Sequence, residues 1–319
     1  MTLSWLAPTL LLPAGAAVAS GISRRAAETA HPPVGDLITL GDRTVHLIDR
    51  PGSDADATTL VFVHGASGNA RDPALAFADA FPRHRLIFFD RPGHGWSTRH
   101  GPDDAAPTTQ AAVVAAILDA RGIDRAIVVG HSWGGSVAAA FGVHHPDRAA
   151  GLVFLAPATH PWPGAVIDIL YRISAAPIAG TLLDRFVVPT VGRLLIDKSI
   201  VGVFAPDPVP ADYRRVIGLD LVLRPEEWRA NAEDVYRLHA HVTALSPRYP
   251  EITAPTLIVT GTHDPIVRAD IHAEGLAQDI AGSRLVRLDD IGHMPHHAAR
   301  DRVIQEIERL IGEIETPSR

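Results

Sequence analysis

The chain has 319 residues, 46% hydrophobic and 20% charged, with a formal net charge of −7. That supplies a large core and excludes a disordered chain, and the scattered arginines form no nucleic-acid surface. With no cysteine in the chain, disulfides, thiolate catalysis and cysteine-held zinc are excluded.

No charged side chain occurs between Met1 and Ser23, and the run over residues 3–22 is long enough to cross a bilayer. It points to membrane association or export; if the segment spans, Arg24 and Arg25 behind it favour keeping that side in the cytoplasm. Pro8, Pro13 and Gly15 interrupt it, and no basic residue precedes it. Residues 1–35 are therefore read as one N-terminal segment: an anchor, a cleaved signal or an arm packed on the surface.

Next come "LITLG" and "RTVHLID", flanking Gly41-Asp42 as a hairpin would. "TLVFVH" (59–64), "RLIFFD" (85–90), "RAIVVG" (125–130) and "GLVFLA" (151–156) read as strands buried on both faces, with helical stretches such as "TTQAAVVAAILDARG" between them. Continuous apolar strands alternating with helices predict an α/β fold with a mostly parallel, doubly wound sheet. Residues 160–253 break this rhythm: they contain helical patterns punctuated by prolines and no clear strand. "TLIVTG" (256–261), "RLVRLD" (284–289) and a last helix then resume it. The expected organisation is a core of residues 36–159 and 254–319, with 160–253 as a helical cap inserted after the sixth strand. Such a cap lies over the carboxyl ends of the strands, where open α/β sheets bind ligands.

"GHSWGG" (130–135) stands between a buried strand and a buried helix and fits G-x-S-x-G. A sharp turn there exposes Ser132 at the sheet edge, its glycines let strand and helix approach, and the helix N-terminus adds positive partial charge. A serine hydroxyl needs an adjacent base, and the base needs a third group to orient it. Asp264, just past one strand, and His293, after the last, follow in the order Ser…Asp…His. Each also has a plainer reading, Asp264 as a turn former before Pro265 and His293 as one of 17 histidines. Backbone N–H groups of Ala66 and Trp133 are nominated by position as the oxyanion hole. This chemistry requires no cofactor and no metal.

"HGASG" (64–68), "DRPGHGWS" (90–97), "GHSWGG", "HDP" (263–265) and "GHMPHH" (292–297) together resemble the cap-bearing branch of the α/β-hydrolase superfamily, and the likeness spans residues 60–297. The resemblance implies a Ser132–Asp264–His293 triad and a cap between the sixth and seventh strands. Dehalogenases and epoxide hydrolases of that superfamily carry Asp at the nucleophile position, so Ser132 argues against both activities. The expected activity is hydrolysis of a carboxylic ester, on a small-molecule, lipid or polymeric substrate. Prolyl iminopeptidases share the tryptophan of "GHSWGG" but carry "HGGPG" in place of "HGASG", and they need acidic cap residues such as Glu226, Glu227 or Glu233 to hold an amine. Carbon–carbon bond hydrolysis and perhydrolysis use the same triad and stay open. A non-catalytic binding protein on the same fold is the rival of another class.

The cap is rich in Leu, Ile, Val and Phe, which suits an apolar acyl or alcohol group. Trp133, Trp162, Tyr171 and Phe186 are candidate pocket residues, with core packing as the alternative. His94 and His131 are expected to serve the scaffold. His144-His145 and His296-His297 are expected to be solvated or capping, because adjacent helical residues point apart and no carboxylate spacing completes a metal site.

Overall fold

The computed structural model describes residues 20–163, 169–176 and 178–316. Most of the apolar run, through residue 19, lies outside them. Residues 20–30 form a helix, α1, tied down by ion pairs from Arg24 to Glu28 and Glu226 and from Arg224 to Glu28. No helix among the described residues is long and apolar enough to cross a membrane.

Eight strands form one sheet: β1 (Asp36–Leu40), β2 (Arg43–Arg50), β3 (Thr59–Val63), β4 (Leu86–Phe89), β5 (Ala126–His131), β6 (Ala149–Leu155), β7 (Thr256–Gly261) and β8 (Arg284–Leu288). Their spatial order is β1-β2-β4-β3-β5-β6-β7-β8. The Gly41-Asp42 hairpin joins β1 to β2 with Leu40 opposite Arg43, and Gly41 takes φ +63°. β2 runs antiparallel to β4, and every later pairing is parallel.

Alternation along the central strands divides the core in two. Val61, Val63, Ile87 and Phe89 face a layer containing α3 (Pro107–Ala120) and α4 (Trp133–His144). Leu60, Phe62, Leu86 and Phe88 face α2 (Arg71–Phe77) and the last helix, Arg300–Glu315. Both faces are covered, which is why these strands are continuous apolar runs; each buried aliphatic or aromatic side chain contributes about 1.5–3 kcal/mol.

Between β6 and β7 the described chain is helical: α5 (Ile169–Ser174), α6 (Ala179–Phe186), a π-helical turn (Val188–Gly192), α7 (Arg193–Phe204), α8 (Tyr213–Val216) and α9 (Pro225–Leu245). This cap has its own apolar cluster, built on Ile196, Ile200, Phe204, Ile217, Val222 and Leu223. Beyond β7 come α10 (Ala273–Asp279), α11 (Pro295–Ala298) and α12 (Arg300–Glu315).

Candidate active site

β5 ends at His131 and α4 begins at Trp133, so the whole turn between them is Ser132, at φ 50° and ψ −116°. Such a conformation costs a non-glycine residue on the order of 1–3 kcal/mol and persists only where the surroundings enforce it. Here they do. The Ser132 N–H donates to Leu155 O at 2.9 Å, and its carbonyl accepts from the Gly135 and Ala158 N–H groups, both at 2.9 Å. A Cβ on Gly130 would lie 2.3 Å from Gly134 O, one on Gly134 2.3 Å from Val63 O, and one on Gly135 2.6 Å from Pro157. The glycines are there for close approach of strand, helix and neighbouring loops.

Ser132 Oγ lies 2.9 Å from His293 Nε2, and His293 Nδ1 lies 2.7 Å from Asp264 Oδ2. With the carboxylate as acceptor, Nδ1 donates and Nε2 is left to accept the hydroxyl proton. Asp264 also starts a turn, its Oδ1 accepting from the N–H groups of Ile266 and Val267 at 2.8 and 2.9 Å. The turn-forming and histidine-facing readings therefore describe the two oxygens of one carboxylate. His131 donates from Nε2 to the His293 carbonyl at 3.0 Å, bracing the histidine loop from below as a scaffold residue. His94 is likewise fully buried, among Arg91 and Pro92.

Ala66 and Trp133 flank Ser132 on the cavity wall. The Trp133 N–H belongs to the first turn of α4, where helical amides have no partner within the helix. Its side chain is buried, with the Arg91 guanidinium 4.1 Å from the ring centroid and Nε1 donating to Asp234 O at 3.1 Å. Arg91 in turn pairs with Asp234 at 2.5 Å, so this tryptophan fastens the elbow to cap helix α9.

Above Ser132 a cavity of about 670 Å³ runs between core and cap, walled mainly by aliphatic side chains of the π-turn, α7 and α9. Trp162 and Tyr171 line it beside Trp133; Phe186 does not. Phe186 ends α6 half-exposed, and the next residues, Val187 and Val188, take the cavity side as the helix axis turns. The acidic cap residues are spent elsewhere. Glu227 is buried against Arg224 and the Gly95 N–H, Glu233 pairs with Arg99, and Glu226 pairs with Arg24. Burial pushes the Glu227 carboxyl up to about 7, against the pull of Arg224.

One correction concerns His296 and His297, which are neither solvated nor capping. Both lie on α11 just after His293; His296 is buried, the His297 side chain is nearly so, and both reach the Asp72 carboxylate from Nε2, at 3.4 and 2.9 Å. Their rings pack 4.3 Å apart rather than diverging, both drawn to the one Asp72 carboxylate. The Tyr213 hydroxyl of the cap donates to the same carboxylate at 2.7 Å. Burial pushes Asp72 up, but its bonds to His296 and His297 outweigh it and hold the carboxyl well below the usual range. Burial drives His296 down to about 4. Asp72, His131 and His296 also bring ligand atoms within 4.8 Å of one another, yet the carboxylate is already served by three protein donors. Asp72 and His296 are 224 residues apart, a separation no local pattern can bridge.

A family model for the alpha/beta hydrolase fold matches residues 58–299. A 2-hydroxy-6-oxo-6-phenylhexa-2,4-dienoate hydrolase of Comamonas testosteroni is 29% identical, over 80% of this chain and 86% of its own. A proline iminopeptidase of Pestalotiopsis fici is 25% identical, over 79% and 91%. Among solved structures, a thermophilic esterase from Thermogutta terrifontis superposes with a TM-score of 0.69 at 22% identity, covering 88% of this chain and 97% of its own. With that match spanning β3 to β8, the elbow and the histidine loop, the chain belongs to the α/β-hydrolase-fold family of hydrolases.

Proposed function

We propose that the protein is a serine hydrolase of carboxylic esters. The reading rests on one arrangement: the hydrogen-bonded chain Ser132–His293–Asp264 at the base of a largely apolar cavity. Ser132 Oγ attacks the ester carbonyl while its proton passes to His293 Nε2. The tetrahedral oxyanion accepts from the Ala66 and Trp133 N–H groups. Collapse expels the alcohol, which takes the proton from His293, and water activated by the same nitrogen then releases the acid and restores Ser132. Asp264 orients the imidazole and stabilises its charged form.

The cavity lining favours an ester over the substrates of the relatives. A dienoate carries a carboxylate, and among the described lining residues the cationic one is Arg268, which is exposed and paired with Asp270 at 2.5 Å. An amino-terminal substrate needs a free carboxylate, and Glu226, Glu227 and Glu233 are engaged outside the cavity.

A fluorophosphonate probe should label the protein at Ser132, and Ser132→Ala should lose both labelling and turnover of nitrophenyl butyrate. Side-by-side rates on that ester, a ring-cleavage dienoate and proline-naphthylamide decide the substrate class. Faster turnover of either of the last two would replace the ester reading.

A further inference from the structure

Nine of the fifteen large hydrophobic side chains exposed among the described residues fall between Ile169 and Val201, on α5, α6, the π-turn and α7. Leu194 is 82% exposed and Ile178 80%. Single exposed apolar residues are ordinary, but concentration on one face marks an interaction surface. This face is also continuous with the cavity: Val187, Val191 and Leu195 line it and are themselves 38%, 44% and 50% exposed. An apolar path thus leads from the outside of the cap toward Ser132.

Charge on the same segment runs against the rest of the molecule. Arg172, Arg185, Arg193 and Lys198 are all exposed there, in a chain of net charge −7. The two acids of the segment are answered by other elements, Asp184 by Arg229 of α9 and Asp197 by Arg214 of α8. That leaves the four cations without an acidic partner among the described residues. Exposed apolar side chains interspersed along a segment with exposed cations are the composition that binds an anionic lipid–water interface.

We propose that this outer face of the cap docks on an anionic lipid surface, and that the substrate is a lipid ester drawn from it past Val187, Val191 and Leu195 to Ser132. The proposal rests on the ester reading for its chemistry, but the docking face can be tested without it. Because the chain has no cysteine, Leu194→Cys in the full-length protein gives one site for an environment-sensitive dye, and Arg309→Cys on α12 gives a control. On phosphatidylcholine vesicles containing phosphatidylglycerol, the dye at 194 should shift to the blue and be quenched by nitroxide-labelled acyl chains, while the dye at 309 should not. No shift at 194 would overturn the proposal, whatever else holds the protein to the vesicle. A dye at 194 already shifted before lipid is added would also overturn it, in favour of a protein cover.

The activity arm uses Ile178→Glu with Leu194→Glu, two positions outside the cavity lining. The pair should lower turnover of a vesicle-borne lipid ester about tenfold or more and leave turnover of soluble nitrophenyl acetate unchanged. Reversing Arg185, Arg193 and Lys198 to Glu should erase the preference for vesicles with phosphatidylglycerol. Equal vesicle turnover by the parent and the Ile178→Glu, Leu194→Glu pair would sink the docking face. A parent inactive on both ester forms would instead sink the ester reading and leave the dye result standing.

Discussion

The two walls of the cavity are built by different physics. Behind Ser132, glycines are packed against carbonyl oxygens, and the elbow is held by backbone hydrogen bonds that admit no Cβ. In front of it, the cap presents aliphatic side chains whose burial is non-directional and tolerant of exchange among similar volumes. Geometry is over-determined on the wall that carries the proposed chemistry and loose on the wall that would meet the substrate. Substitutions behind the serine should therefore act as switches, and those in the cap as adjustments.

The sharpest test of this contrast is Asp264→Asn. Asparagine keeps the carbonyl oxygen that accepts from Ile266 and Val267, so the turn survives. What goes is the anionic partner of His293 Nδ1. Ester turnover should fall on the order of 10⁴-fold with the melting temperature nearly unchanged. A conservative cap exchange such as Leu238→Met, in the cavity wall, should stay within about threefold. Comparable losses from the two would erase the distinction between the walls.

Gly134→Ala probes the same wall through stability. Its added methyl would sit 2.3 Å from Val63 O and 2.8 Å from His64 O, and neither backbone oxygen can swing away. A loss of about 3 kcal/mol in a denaturant titration is expected. Gly202→Ala on α7, where a Cβ meets nothing within 4 Å, should be neutral or stabilising by up to about 1 kcal/mol.

This contrast also decides what could be read from the residues in order. The strands were legible because burial on both faces forces unbroken β-branched and aromatic runs, as in "TLVFV" and "LIFF". Ser132, Asp264 and His293 were legible because an elbow and two strand ends are local features, and the structure brings the three into one hydrogen-bonded chain. The identity of Trp133 was not, since its partners Arg91 and Asp234 arrive from β4's loop and from α9. Nor could Phe186 be told from Val187 and Val188. Large apolar side chains of this segment face both the cavity and solvent, so apolar character alone does not mark which side is which.

Tyr213→Phe addresses a polar latch that joins the cap to the histidine helix through Asp72. Removing the hydroxyl deletes a buried bond to a carboxylate, while His296 and His297 still serve the other positions. The expected cost is about 1.5–2 kcal/mol. If the cap is seated chiefly by its apolar cluster, turnover of short esters should change little. A loss of turnover as large as that from Asp264→Asn would mean that the latch positions His293 and that the two walls are one unit.

The smallest effect is a slope rather than a step. Burial drives His64 down to about 3, with Arg91 adding to it, and His296 down to about 4. Both lie behind the nucleophile, and His296 is surrounded by Asp72, His131, His293 and His297. In the unfolded chain such imidazoles titrate near their ordinary value of about 6.5. As pH falls the unfolded state takes up these protons first, so stability is full above about pH 6.5 and declines through the window down to about 4. Each histidine contributes on the order of 1 kcal/mol per pH unit within that window. His296→Gln cannot titrate, so its unfolding free energy measured between pH 7 and pH 5 should fall less steeply than the parent's. Parallel slopes would show that His296 is protonated in the fold beside Asp72, and the wall behind the serine would then carry a charge pair where burial calls for a neutral ring.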